Sequence, residues 1–202
     1  MNLRQLNLEQ FFIVAVLALF GAASAQTFAS DPAHTFALFR ANHAGVSYAF
    51  GSFDELTATL EYDAEAVENS TLEFSLLTES VDTGTDLEDV EFDGARRDEH
   101  LRSPDFFNAA QFPTIDFVST SIAPTDEENV FEVTGELTMH GVTNEVTTSV
   151  ERIGTGQTQQ GQQTIGFYTE FMIDRTDYDM NNLLEAAGPE ILLMIGFEGV
   201  AQ

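Results

Sequence analysis

The densest group of side chains able to bind a polar ligand is the basic run Arg96–Arg102 (RRDEHLR). Three of its seven residues are arginine, and His100 lies between them. Guanidinium groups hold phosphate, carboxylate or carbonyl oxygen through charge-assisted hydrogen bonds, so this run could bind the polar end of a ligand. The alternative is pairing with the acids of the same run and with Asp105, which would order the segment and bind nothing.

Catalytic signatures are absent from the sequence. It has no cysteine, no Gly-x-Ser-x-Gly motif, no glycine-rich phosphate loop and no His-Glu-x-x-His pair. The four histidines, His34, His43, His100 and His140, are scattered, so a zinc site would need them to converge in space. We therefore expect no catalytic residues, no metal and no cofactor.

The segment Asp89–Gly94 resembles a calcium-binding loop in its first half. Acids occupy loop positions one, three and five and glycine position six, but His100 stands at position twelve, where a bidentate glutamate is required. The pattern therefore predicts a solvated acidic loop.

The first 25 residues have the layout of a secretory signal peptide. The apolar run Phe11–Phe20 follows Arg4 and precedes the small residues Ala23–Ala25. A membrane anchor is the alternative, but the run is shorter than the roughly 20 residues needed to span hydrocarbon. We expect cleavage after Ala25, a mature domain at 26–202, and a periplasmic or secreted location.

The charge balance excludes some partners. The net charge is −27, all seven bases are arginine and lysine is absent, so the surface repels nucleic acid. A dense acidic coat favours a halophilic protein, because molar salt screens self-repulsion. Calcium binding by the carboxylates is the alternative.

Apolar residues alternate with polar ones over most of the remaining chain. This period of two predicts eight strands, at about 34–41, 48–62, 70–79, 115–117, 131–139, 142–150, 165–173 and 191–197. Met139–Val142 is typical of a tight hairpin. Eight antiparallel strands can form a sandwich or close into a barrel, and a barrel of about eight strands encloses side chains or one small ligand.

Between Val81 and Pro113 the alternation stops. Ser103, Pro104 and Asp105 supply the capping pattern of a helix start and predict a short helix over 104–111. Its aromatic side could form a lid beside the barrel.

Phenylalanine is the characteristic apolar residue, with fifteen copies after residue 25 and no tryptophan. Phenylalanine has no polar atom, so it can line a dry cavity without leaving a donor unpaired. Composition alone favours the other interpretation, an ordinary filled core, because most domains are close-packed.

Seven sequence blocks resemble, in order, the motifs of the YceI-like family. The blocks are Asp31–Thr35, His43–Ser47 with Gly51–Phe53, Ser80–Gly84, Arg97–Phe107, Phe112–Ile115, Gly135–Thr143 and Ile173–Met180. They span nearly all of the predicted mature domain.

The resemblance implies an all-β fold, an eight-stranded antiparallel lipocalin-like barrel with one or two short helices between residues 81 and 113. It implies that the lumen binds an isoprenoid lipid, of the polyprenyl phosphate or quinone type, in an exported carrier or storage protein. It also implies a homodimer and no enzymatic turnover. We further expect transient membrane contact for lipid exchange. Two alternatives stay open: an enzyme acting on such a lipid with His100 as general base, and a lipid-free stress-protection module.

On this resemblance we assign two sets of site residues. The head group would contact Arg97, His100, Arg102 and, as a weaker candidate, His43. The tail would be lined by Phe36, Leu38, Phe50, Leu72, Phe74, Phe106, Phe107, Phe117, Phe131, Leu137, Phe167 and Phe171. The sequence departs from the family pattern in an acidic insertion at 85–95, near the expected cavity mouth, and in Asn144 where lysine is common.

Overall fold

The structure is a computed structural model, described here for residues 25–84 and 94–202. The predicted signal peptide, apart from Ala25, and the acidic loop at 85–93 lie outside the described residues. Within the described ranges, no helix has both the length and the apolar character needed to cross a membrane.

The described residues contain eleven β-strands and one α-helix. The strands are β1 (Gln26–Ser30), β2 (Phe36–His43), β3 (Ser47–Phe53), β4 (Leu56–Tyr62), β5 (Thr71–Leu77), β6 (Val81–Asp82), β7 (Thr114–Pro124), β8 (Val130–Met139), β9 (Val142–Gln157), β10 (Gln163–Asp174) and β11 (Ala187–Ala201). The helix is α1 (Gly94–Arg102), and short 3-10 turns occur at Val67–Asn69, Thr78–Ser80 and Arg175–Tyr178.

All strand pairs are antiparallel, and the sheet closes on itself. Its order is β1-β4-β5-β7-β8-β9-β10-β11, and β11 pairs back onto β1. β1 and β2 lie one after the other along the same edge of β11, with β4 and β3 beside them in the same way. The eleven segments therefore build a closed barrel of eight strands, which confirms the predicted architecture.

The tight hairpin predicted at 139–142 is also present. β8 ends at Met139 and β9 begins at Val142, and the two residues between them, His140 and Gly141, have φ of 53° and 79°. Two successive positive φ values are typical of the turn that joins twisted antiparallel strands.

The helix predicted at 104–111 is wrong in position. The helix is α1, and residues 103–111 form a series of turns after it. The Ser103 hydroxyl donates to the His100 carbonyl oxygen at 2.7 Å, so Ser103 completes the end of one helix instead of capping the start of another. Pro104 then prevents continuation, since a proline is common just after a helix end. The segment 103–111 still buries Phe106 and Phe107 against the barrel.

The inward face was wrongly predicted for β2 and β3. Phe36 and Phe50 are 54% and 57% exposed on the outer wall, and Leu38 is 41% exposed, whereas Ala37 and Phe39 are buried. Both faces of β2 are apolar, so alternation does not distinguish them.

The error in β3 has a second cause. A single strand was predicted over 48–62, but the chain breaks at Asp54 and Glu55 between β3 and β4. Inward residues are odd-numbered before the break, as at Phe53, and even-numbered after it, as at Leu60. Because Asp54 and Glu55 do not continue the extended strand, the inward-facing positions change from odd-numbered residues in β3 to even-numbered residues in β4.

Glycine at 135 in β8 is required by close packing. A Cβ there would lie 2.4 Å from the Phe117 ring and 2.5 Å from the Val118 carbonyl oxygen. At Gly196 in β11, by contrast, no heavy atom lies within 4 Å of an added Cβ.

We expect Gly135→Ala to lower the free energy of unfolding by about 1–3 kcal/mol, because the methyl group must displace a ring and a backbone carbonyl. Gly196→Ala, the matched control in open space, should stay within about 0.5 kcal/mol of wild type. Denaturant titration in high salt measures both values. Equal stability of the two variants would contradict the packing seen at Gly135.

Candidate ligand-binding cavity

The barrel encloses a cavity of about 180 Å³ toward the end that α1 and residues 103–111 cover, here called the capped end. Its lining comes from β2, β3, β5, β7, β8, β9, β10 and β11, with Leu101, Phe106 and Phe107 from the cap. The wall is almost wholly apolar. Asp116, Thr148, Thr169 and Arg175 border the space but present scarcely any polar surface to it.

A second cavity of about 80 Å³ lies toward the opposite end of the barrel, here called the far end. It is lined by residues such as Leu60, Tyr62, Phe131, Phe167 and Phe197. Six residues line both cavities, namely Leu72, Phe74, Val133, Val150, Thr169 and Ile195. The two cavities therefore adjoin and together follow the interior of the barrel.

The interior is thus not filled by the chain's own side chains. Of the two interpretations of the phenylalanines, the described structure has the dry cavity. Cavities lined by apolar side chains bind apolar guests, because their walls gain dispersion contacts and the guest leaves water. An interior of this kind can hold a hydrocarbon chain and offers almost nothing to a charged group.

Most predicted tail-lining residues border one of the two cavities. The first cavity is bordered by Leu38, Leu72, Phe74, Phe106, Phe107, Phe117, Leu137 and Phe171. The second is bordered by Phe131 and Phe167, together with Leu72 and Phe74. Phe36 and Phe50 border neither and lie on the outer wall.

Several lining residues were missed from the sequence. The alternation predicts the even-numbered face of β2 as inward, so it misses Ala37 and Phe39 on the opposite face. It misses Phe53 in β3 for the same reason. The alternation places Leu193 and Ile195 on one face of a strand, but their spacing does not indicate that this face borders an open space. Tyr62 likewise fitted the strand pattern without marking the end of a cavity.

The arginines of the predicted head-group site make internal hydrogen bonds. Arg97 donates through Nε to the Thr83 hydroxyl at 2.6 Å and through Nη2 to the Thr83 carbonyl oxygen. Arg102 donates to the carbonyl oxygens of Glu79 and Val81, each at 2.7 Å. These bonds attach α1 to β6 and the turn before it. They are internal, but their acceptors are Thr83 and backbone oxygens and not the acids named in the pairing alternative.

The predicted histidines also lie away from the apolar space. His100 Nε2 lies 3.1 Å from the Asp105 carboxylate, and His43 is exposed at the end of β2. In the described part of the chain, neither of them, nor Arg97 or Arg102, borders either cavity. A role for these four side chains in contacting a head group stays a prediction.

Arg175, which is not among the predicted site residues, lies beside the first cavity. Only 3% of it is exposed, and its guanidinium donates to the carbonyl oxygens of Met180, Asn182, Ala187 and Gly188 at 2.6–3.1 Å. Burial lowers the pKa of Arg175, although an arginine stays protonated in proteins. Its bonds hold the connection from β10 to β11 across the capped end.

A polar cluster joins the β1–β2 connection to β11. Asp31 and His34 form a 3.0 Å contact that raises the pKa of the imidazole and lowers the pKa of the carboxyl. Glu198 completes the cluster: one side-chain nitrogen or oxygen atom from each of Asp31, His34 and Glu198 lies within 4.8 Å of the other two. The Asp31 amide also donates to the Glu198 carbonyl oxygen at 2.7 Å. This partly buried cluster stabilises the seam where the barrel closes.

The fold and its apolar interior define the class of protein as a lipocalin-like antiparallel barrel with a lumen. The chain belongs to the YceI-like family: the model of the YceI-like domain matches residues 28–198. This confirms the resemblance drawn from the seven sequence blocks.

Relatives and solved structures agree with this assignment. The chain is 34% identical to the proteins named YceI of Salmonella arizonae and of Salmonella paratyphi B over 198 residues, which cover 97% of this chain and 98% of each relative. The crystal structure of BcnA from Burkholderia cenocepacia superposes with a TM-score of 0.72 at 20% identity, covering 84% of this chain and 98% of that one.

A third comparison concerns a polyisoprenoid binding domain from Saccharophagus degradans. It superposes with a TM-score of 0.64 at 15% identity and covers 88% of this chain and 99% of that domain. At this level of identity, the two structural likenesses establish the fold.

Proposed function

We propose that this protein binds an isoprenoid lipid of the polyprenyl phosphate or quinone type inside the barrel, as an exported carrier or storage protein. The observation that carries the proposal is the pair of adjoining apolar cavities within a closed barrel. The domain from Saccharophagus degradans, described as binding polyisoprenoids, supports the same class of ligand.

The lipid tail would supply the affinity. Each buried methylene-sized unit contributes about 0.8 kcal/mol, so several isoprene units bind tightly without any polar contact. Because the cavity walls are apolar, a charged head group would lie outside them, where Arg97, His100 and Arg102 of the cap are candidates to contact it. Arg97 and Arg102 already donate hydrogen bonds to oxygens of the protein. In the proposed complex they would therefore orient the head group, while the tail supplies the affinity.

Export is part of the proposal. β1 begins at Gln26, directly after the expected cleavage site, so cleavage after Ala25 would leave the whole barrel intact. The net charge of −27 without lysine favours a compartment of high salt. Transient membrane contact for lipid exchange stays a prediction.

Catalysis is the weaker candidate. His100, the general base in that alternative, interacts with Asp105 and lies edge-on to the Phe106 ring at 5.1 Å without bordering the cavity. A general base must come within hydrogen-bonding reach of the proton that it removes. A carrier would return its lipid chemically unchanged.

We expect Phe117→Asp to abolish lipid retention, because it places a carboxylate on the apolar cavity wall. The matched control is Val118→Asp, one residue further along β7, where the side chain is 47% exposed on the outer wall. Lipid extracted from each purified variant after incubation with a polyprenol measures retention. Circular dichroism identifies variants that are folded.

Comparing Phe117→Asp with Val118→Asp tests whether the lumen is the binding site and whether Phe117, and not Val118, faces it. Full retention by folded Phe117→Asp would contradict binding in the lumen. Loss in both variants to the same extent would show that a new charge anywhere on β7 is sufficient, and would remove the support for this cavity as the site.

We also propose that two copies associate through the outer wall of β3, β2, β11 and β10. Phe36, Leu38, Tyr48, Phe50 and Met172 are exposed there, with Leu38 paired to Met194 across the strands. An exposed apolar surface on so acidic a protein is typical of a surface covered by a partner, and a second copy offers an identical apolar face under twofold symmetry.

We expect Phe36→Asp to convert a wild-type dimer into a monomer, because the two symmetry-related carboxylates would face apolar surface, and Phe36 borders neither cavity. Sedimentation velocity in molar salt measures the change, and Val118→Asp on another part of the wall should leave the wild-type mass unchanged. A wild-type monomer at all concentrations would refute the proposed association.

A further inference from the structure

The far end of the interior is closed by aromatic rings. Phe167 stands in the middle of them, with its ring centroid 5.9 Å from that of Tyr62 and 6.4 Å from those of Phe131 and Phe197. All four residues line the second cavity. A hydrocarbon chain that follows the interior from the capped end would therefore meet this ring cluster, which we call the end wall.

A cation closes the space behind the end wall. The Tyr62 hydroxyl accepts a hydrogen bond from Arg152 Nη1 at 2.9 Å, and Arg152 Nη2 donates to the Asn129 side-chain oxygen. The Arg152 amide donates to the Asn129 carbonyl oxygen at 2.7 Å, which holds this part of β9 against the residue that precedes β8. An apolar chain would have to displace these charge-assisted bonds to leave the barrel here, so the polar bonds oppose its passage.

The junction between the two cavities controls access to this region. Val150, Val133 and Ile195 line both cavities, so a tail must pass between them to occupy the second cavity. Val150 is half-buried and Val133 is buried. The usable length of the interior is therefore set by side chains at two places, the junction and the end wall.

We propose that the end wall, with Phe167 at its centre and Arg152 bonded behind Tyr62, sets the longest isoprenoid tail that the barrel holds. This inference rests on the proposed function and adds length selection to it. A tail that reaches the wall fills both cavities and gains contacts with each added unit. A longer tail must either fold back or leave part of its apolar surface in water, so affinity stops rising.

Two variants with opposite expected effects test the proposal. Phe167→Ala removes the central ring of the end wall and opens space for about one further isoprene unit, so the tails retained should become longer. Val150→Phe narrows the junction, so the tails retained should become shorter. Ile153→Ala is the control, since it removes an apolar side chain that is 65% exposed on β9, outside both cavities and outside the proposed dimer surface.

The probe is a mixture of polyprenols of graded length, offered to each variant of the full chain in equal amounts. Mass spectrometry of the extracted lipid gives the distribution of retained lengths. We expect a shift of about one isoprene unit upward for Phe167→Ala, a shift downward for Val150→Phe, and the wild-type distribution for Ile153→Ala. Circular dichroism establishes that each variant is folded.

The outcomes separate this inference from the function on which it rests. Unchanged distributions in folded Phe167→Ala and Val150→Phe would overturn length selection and leave the carrier function standing. Failure of wild type to retain any polyprenol would overturn the proposed function itself. If Phe167→Ala does not fold, Val150→Phe decides: a shift to shorter tails supports the proposal and an unchanged distribution overturns it.

Discussion

Pairing of β1 with β11 closes the sheet, and this closure determines what every inward side chain does. A closed barrel has no free edge strands, so all inward residues face one enclosed space whose width depends on the number of strands. With eight strands, the phenylalanines and aliphatic side chains of this chain leave part of that space open. The cavity, the proposed lipid and the proposed length limit all depend on that closure, which the cluster of Asp31, His34 and Glu198 fastens from outside.

Four of the six arginines in the described residues have a common role, although they are scattered in the sequence. Arg97 and Arg102 attach α1 to β6 and the preceding turn, Arg175 holds the β10–β11 connection, and Arg152 closes the far end. In each case, the guanidinium donates several hydrogen bonds to fixed oxygens, as its planar fork allows. In a chain without lysine, these four arginines thus stabilise the two ends of the barrel, while the carboxylates dominate the charge of the outer surface.

Alternation of apolar residues was sufficient to predict the eight strand positions around the sheet, because a period of two reports directly on a sheet with one buried face. Alternation missed the short strands β1 and β6. It also left a sandwich and a barrel open, and the resemblance to the YceI-like family supplied the barrel. It was insufficient where both faces are apolar, as at Phe36 and Ala37 in β2, and where the break at Asp54 exchanged the faces. The Ser103-Pro104 pair suits the end of a helix as well as the start of one, so the helix was misplaced. Whether Phe74 or Phe117 fills a core or lines a cavity depends on interior volume, which local spacing does not encode.

The account requires that the open interior is occupied by a lipid in the natural protein. Native mass spectrometry of the protein purified from its own source tests this most directly. We expect a mass that exceeds that of the polypeptide by one isoprenoid lipid, released intact by organic solvent. The mass of the bare polypeptide alone, in preparations never exposed to detergent or solvent, would contradict the account.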